Sequence, residues 1–178
     1  MGKETLEPHE MIEETAEGRR RLTTRVALTA AILAVLASVS ALQAERTAAE
    51  GVVQKNDAVL WQSRASDEWA YRQAKSIKLH IQELAPGRAP ESDAERAEIA
   101  ASEARAKTAE ERRDAANERS AESFEQHHRF SIGTSLLQIA IVLETVAAVL
   151  DRTGLWAGGL AVGALGAAAL LNGFLGFF

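Results

Sequence analysis

The chain has 178 residues, no cysteine, 20 basic and 25 acidic residues, and a formal charge of -5. That balance argues against a nucleic-acid binder, which needs a basic surface. The absence of cysteine excludes disulfides and thiolate metal sites, and four scattered histidines leave little material for a zinc centre.

Residues 1–25 form a charged arm. Pro8 suits the first turn of a helix. Glu4, Glu7, Glu10, Glu13, Glu14 and Glu17 recur every three or four positions, which places an acidic stripe on one helix face. We read the stripe as solvated surface rather than a cation site shared with His9. Arg19, Arg20, Arg21 and Arg25 follow, and then 26–44 carries no charge. A bilayer core about 30 Å thick takes roughly 20 apolar residues as a helix, so 26–44 reads as transmembrane helix 1. The run ends in Val39-Ser40-Ala41, like a signal-peptide cleavage site, and Arg19-Arg20-Arg21-Leu22 grazes a twin-arginine signal. The long charged leader favours an uncleaved anchor.

Residues 45–129 hold 14 of the 20 basic and 17 of the 25 acidic residues, so this stretch belongs in water. Its two arms lack proline and meet at the Pro-Gly cluster 85–90, the clearest turn in the chain. The expectation is a long extramembrane antiparallel helical hairpin, coiled-coil-like, with arms of about 60 Å. Val53, Leu60, Ala70, Ala74, Ile77, Ile81 and Leu84 give the first arm a heptad-like seam, interrupted by Asn56, Ser63 and Asp67. The second arm offers Ala94, Ala97, Ala101, Ala104, Ala115, Ala121, Ile99 and Phe124. Alanines bury little area, so such a hairpin gains from packing against further copies, and a homo-oligomer is expected. Glu68 with Arg72 and Glu103 with Lys107 stand four apart, as helix-supporting ion pairs do. Trp61, Trp69 and Tyr71 form a candidate interaction surface for a protein partner, or anchor the hairpin's own packing. His127-His128 lacks further ligands for a metal site.

Residues 130–150 and 153–175 read as transmembrane helices 2 and 3, joined too tightly to be anything but antiparallel neighbours. Glu144 is the one acid inside them. A carboxylate at membrane depth is costly unless paired or protonated. It is therefore either a candidate intramembrane functional group on an ion or proton path, or a structural residue reaching headgroups or Arg152. Ser131, Thr134, Ser135, Gln138 and Thr145 share its helix and either line a pore or bond across helices. Helix 1 has a small-residue stripe (Ala27, Ala30, Ala31, Ala34, Ala37, Ser38, Ala41). Gly159, Gly163, Gly166 and Gly173 are candidate helix-packing positions in helix 3, because close backbone contact drives association in lipid. Trp156 fits an interfacial belt. Arg19, Arg20, Arg21, Arg25 and Arg152 put the N-terminus in the cytoplasm and the hairpin in the periplasm by the positive-inside rule. Arg112, Arg113, Arg119 and Arg129 run against this, but long translocated segments obey the rule poorly.

The runs 27–37 (ALTAAILAVLA) and 65–78 (ASDEWAYRQAKSIK) resemble the bacterial membrane proteins catalogued as domain of unknown function 4337. In layout the resemblance covers most of the chain. It implies a bacterial membrane protein, and it carries over no catalytic residue. No Ser-His-Asp set, phosphate loop or paired-carboxylate constellation can be assembled, so no enzyme, cofactor or metal is expected. The expected fold is an all-α integral membrane protein with three transmembrane helices and the extramembrane hairpin. The expected role is a non-enzymatic oligomeric scaffold or interaction module of the bacterial inner membrane. The alternative is an oligomeric ion or proton channel with Glu144 on its pathway.

Overall fold

The computed structural model describes residues 8–84 and 93–176, with side chains from residue 16 onward. The acidic stripe up to residue 15 and the turn at 85–90 lie outside what it describes. Among the described residues the chain is all-α, with three helices: α1 (Pro8–Glu83), α2 (Asp93–Leu150) and α3 (Thr153–Leu175). Each contains a stretch long and apolar enough to cross a membrane, which makes this a multi-pass membrane protein.

One expectation is overturned. There is no separate extramembrane antiparallel hairpin, because 45–84 and 91–129 are not helices of their own but lengths of α1 and α2. The reason is in the backbone. A change from apolar to charged side chains does not interrupt i to i−4 hydrogen bonding, whereas proline does, and neither α1 after Pro8 nor α2 contains one. The glycines Gly18, Gly51 and Gly133 are absorbed within the helices.

Between α2 and α3 the chain turns in two residues. Asp151 takes φ 49, a left-handed conformation that aspartate tolerates better than most side chains. Arg152 is extended, and its N–H donates to Ala147 O at 3.0 Å. Helix α3 stops at Gly176, whose φ of 65 suits a residue without Cβ and whose N–H donates to Asn172 O at 2.8 Å.

Two compact units are present: Met1–Thr47 with Glu125–Phe178, and Ala48–Phe124. The first has an interior of small and polar groups. Leu33, Ala37, Leu137 and Ala140 cluster, as do Ala44, Phe130 and Leu170, and Ser40, Thr47 and Glu144 are buried with them. Large apolar side chains such as Leu28, Ile32, Val35, Val142, Val149 and Leu165 point outward. That inversion suits a hydrocarbon solvent, in which association rests on close packing rather than on hiding apolar area. The buried residues of α3 are Gly159, Gly163, Gly166, Leu170 and Gly173, at steps of four and three.

The second unit pairs 48–83 of α1 with 93–124 of α2 in opposite directions. Lys55 Nζ donates to Asn117 Oδ1 at 2.9 Å, Arg113 Nη1 to Gln62 Oε1 at 2.8 Å, and Arg105 Nε to Glu68 Oε1 at 2.9 Å. The buried face of α1 here is Gly51, Ala58, Ala65 and Leu79, against Ser102, Ala106, Ala109, Ala116, Ser120 and Ser123. The larger apolar seam expected to join the arms faces outward instead: Val53 is 60%, Leu60 48%, Ile77 52%, Ile81 63% and Leu84 74% exposed. Pairing through that seam would have buried Asn56, Ser63 and Asp67, which is costly without partners. The small face lets the backbones approach, so that Ser120 Oγ donates to Gly51 O at 2.9 Å. The ion pairs also depart from expectation. Glu103 does meet Lys107 at 2.8 Å, but Glu68 pairs with Arg105 and Arg72 with Glu103, both across the two helices.

At the far end of this pair Glu98 accepts hydrogen bonds from Lys75 Nζ and Tyr71 Oη. The Lys75 bond, then the Tyr71 bond, hold the Glu98 carboxyl below its ordinary 4.5, and the Glu98 bond holds Lys75 above its ordinary 10.5. A carboxyl lowered in the fold stabilises it above its unfolded value and ceases to as pH falls through its folded one. The raised lysine stabilises below its unfolded value and ceases to as pH rises through its folded one. Thermal unfolding followed by far-ultraviolet circular dichroism should therefore show a lower midpoint at about pH 3 than at about pH 6. Glu98→Gln should have a smaller acid drop than the wild type; an equal drop would exclude this cluster as its source.

Candidate functional site

Two places bring together the residues singled out in the sequence. In the first unit, Glu144 is fully buried. Its Oε2 accepts a hydrogen bond from Thr29 Oγ1 at 2.7 Å, and Trp156 Nε1 donates to the same Thr29 oxygen at 3.3 Å. Glu144 Oε1 is buried without a partner. The carboxylate thus joins α1, α2 and α3 at one node, with Thr29 rather than Arg152 as its contact. Trp156 belongs to that node. A Cβ on Gly159 would lie 2.9 Å from Glu144 Cγ, so the glycine makes room for the acid.

The other α3 glycines serve the same packing. A Cβ would meet Leu33 Cδ2 at 2.8 Å from Gly163, Leu137 Cγ at 2.8 Å from Gly166, and Phe130 Cε1 at 2.6 Å from Gly173. At three of the hydroxyl positions the hydrogen bond stays within the helix rather than crossing to another. Thr134, Ser135 and Thr145 donate to the carbonyls of Phe130, Ser131 and Ile141, one turn back. The cross-helix bonds come from residues the sequence did not advertise: Ser40 Oγ donates to Phe130 O at 2.8 Å, and Gln126 Nε2 to Gly173 O at 3.1 Å. His127 Nδ1 lies 2.8 Å from Ala44 O. Among the described residues no group of three or more His, Cys, Asp or Glu is placed to hold a metal ion.

The second place is in the polar unit. Trp69 Nε1 donates to Glu110 Oε1 at 2.9 Å and so ties α1 to α2. Trp61 and Tyr71 line a groove of about 810 Å³ between the two helices. The Arg64 and Arg112 guanidiniums lie 4.5 and 4.6 Å from the Trp61 ring centroid, within the range of cation–π attraction. The three aromatics are therefore not one surface, since Trp69 braces the pair while Trp61 and Tyr71 face the groove.

This layout of one long polar helix pair and three apolar lengths runs through the span over which a known family matches. Residues 22–176 match the family described as Domain of unknown function (DUF4337). The chain belongs to the DUF4337 family. Among curated proteins and among solved structures, nothing matches it. The family match covers both the Glu144 node and the Trp61 groove.

Proposed function

We propose that this DUF4337 protein is a non-enzymatic, membrane-anchored scaffold that assembles with copies of itself in the bacterial inner membrane. The observation that supports the reading is the outward seam of the polar unit. Val53, Leu60, Ile77, Ile81 and Leu84 recur at heptad spacing along and just past the end of α1 and are exposed. The apolar positions of such a seam gain by packing against a helix of another copy. The N-terminus lies in the cytoplasm, following Arg19, Arg20, Arg21, Arg25 and Arg152. Native mass measurement of the full chain in mild detergent should give two or more copies. A monomer at every accessible concentration would overturn the proposal.

The second reading, an oligomeric ion or proton channel, draws on the unpartnered Glu144 Oε1. Flux into liposomes should then fall in Glu144→Gln. An unchanged flux, or none in the wild type, removes it.

A further inference from the structure

The groove of the polar unit has the form of an empty helix seat. Its α1 wall carries Trp61, Arg64, Asp67, Glu68 and Tyr71, a length of about 15 Å. Small residues, Ala104, Thr108 and Ala109, lie on its α2 side, leaving room for a third helix to approach closely.

Charge says what kind of helix fits. Arg105 is occupied by Glu68 at 2.9 Å. Arg64 and Arg112 share the Trp61 ring and, among the described residues, have no carboxylate within 4.0 Å. Two cations held on one ring repel each other, and an arriving carboxylate relieves both. This chain carries such a carboxylate. Glu111 is exposed and has no hydrogen bond or ion pair among the described residues, and it sits next to Arg112 on the same turn of α2. Copies related by an axis along the membrane normal hold equal residues at equal depth, so Glu111 of a second copy arrives level with the two guanidiniums.

We propose that the groove seats α2 of a second copy, with that copy's Glu111 set between Arg64 and Arg112. This rests on the self-assembly proposed above and names its polar contact. A pair of this type, desolvated on docking, is read as a fold-change in association: loss of either side weakens a charged contact by roughly tenfold or more.

The test uses the full chain in mild detergent, with native mass followed over a dilution series and helicity as the folding control. Arg64→Glu with Arg112→Glu should weaken assembly at least about tenfold. Glu111→Arg alone should do the same, and the triple variant should restore assembly to within about threefold of wild type. Because the chain has no cysteine, a mixture of Thr108→Cys and Glu111→Cys chains should cross-link to each other on oxidation. Wild-type oligomers indifferent to both reversals overturn this contact and leave the self-assembly standing. Loss of assembly in the arginine variant without rescue by Glu111→Arg overturns the Glu111 assignment. A monomeric wild type removes both.

Discussion

Replacing Leu60, Ile77 and Ile81 together by glutamine should give a chain that folds normally and no longer assembles. In the isolated chain these side chains are about half in water already, and glutamine is as good a helix former as leucine and better than isoleucine. The folded copy therefore loses little, as surface changes generally do. The assembly loses much more. Burying the exposed half of a leucine or isoleucine contributes about 1 kcal/mol, so six such side chains across two copies come to roughly 6 kcal/mol as an upper bound, on the order of 10⁴ in the association constant. Native mass across a dilution series reads the association, and the thermal midpoint of the diluted chain reads the fold. An unchanged copy number in the triple variant would mean that the seam is not the contact between copies.

The three apolar lengths were legible because absence of charge is a one-dimensional property. Counting Asp, Glu, Lys and Arg along 26–44, 130–150 and 153–175 suffices to find them, and no tertiary knowledge enters. The ends of the helices were not legible by the same count. Ala44 to Glu45 is a change from apolar to charged side chains and not of backbone, and α1 runs through it. Choosing the packed face of α1 between 48 and 83 required more than periodicity. Two heptad sets compete there, Val53-Leu60-Ile77-Ile81 and Gly51-Ala58-Ala65-Leu79. Hydrophobicity favours the first, whereas close approach and avoidance of buried Asn56 and Asp67 favour the second. The Gly51 backbone is reached by Ser120 from 69 residues away, and no local pattern announces such a bond.

The candidate sites divide in the same way. Glu144 was conspicuous as the lone acid in an apolar run, but its partner Thr29 is 115 residues distant and looked like any helix threonine. Trp61 was noticed as an aromatic, yet its second guanidinium comes from Arg112 on the other helix. What the sequence could have offered was the three-and-four spacing of small and polar residues, Ala37-Ser40-Ala44-Thr47, which marks the interior of the first unit. The alanine stripe read from composition shares only Ala37 with it. Alanine is too abundant in this chain to mark a face by its presence alone.

Close backbone contact gives the second large effect. Gly166→Ala should destabilise the first unit, whereas Gly158→Ala, eight residues earlier on the same helix, should not. A Cβ on Gly166 would lie 2.9 Å from the Leu137 backbone nitrogen and 2.8 Å from Leu137 Cγ. A side-chain tip could rotate away, but a nitrogen inside the α2 backbone cannot, so α3 must lift off. Gly159, Gly163 and Gly173 share that face and would loosen with it, at an expected cost of about 3 kcal/mol, the upper part of the range for overpacking. Gly158 has nothing within 4 Å of its would-be Cβ. Alanine there removes backbone freedom from the unfolded chain and gains at most about 1 kcal/mol of helix propensity. Thermal midpoints of the two variants in the same detergent should thus move in opposite directions, or at least differ by several degrees with Gly166→Ala the lower. Equal midpoints would mean that α3 does not rest on the α2 backbone at Leu137, and the glycine face would then have no packing role to explain it.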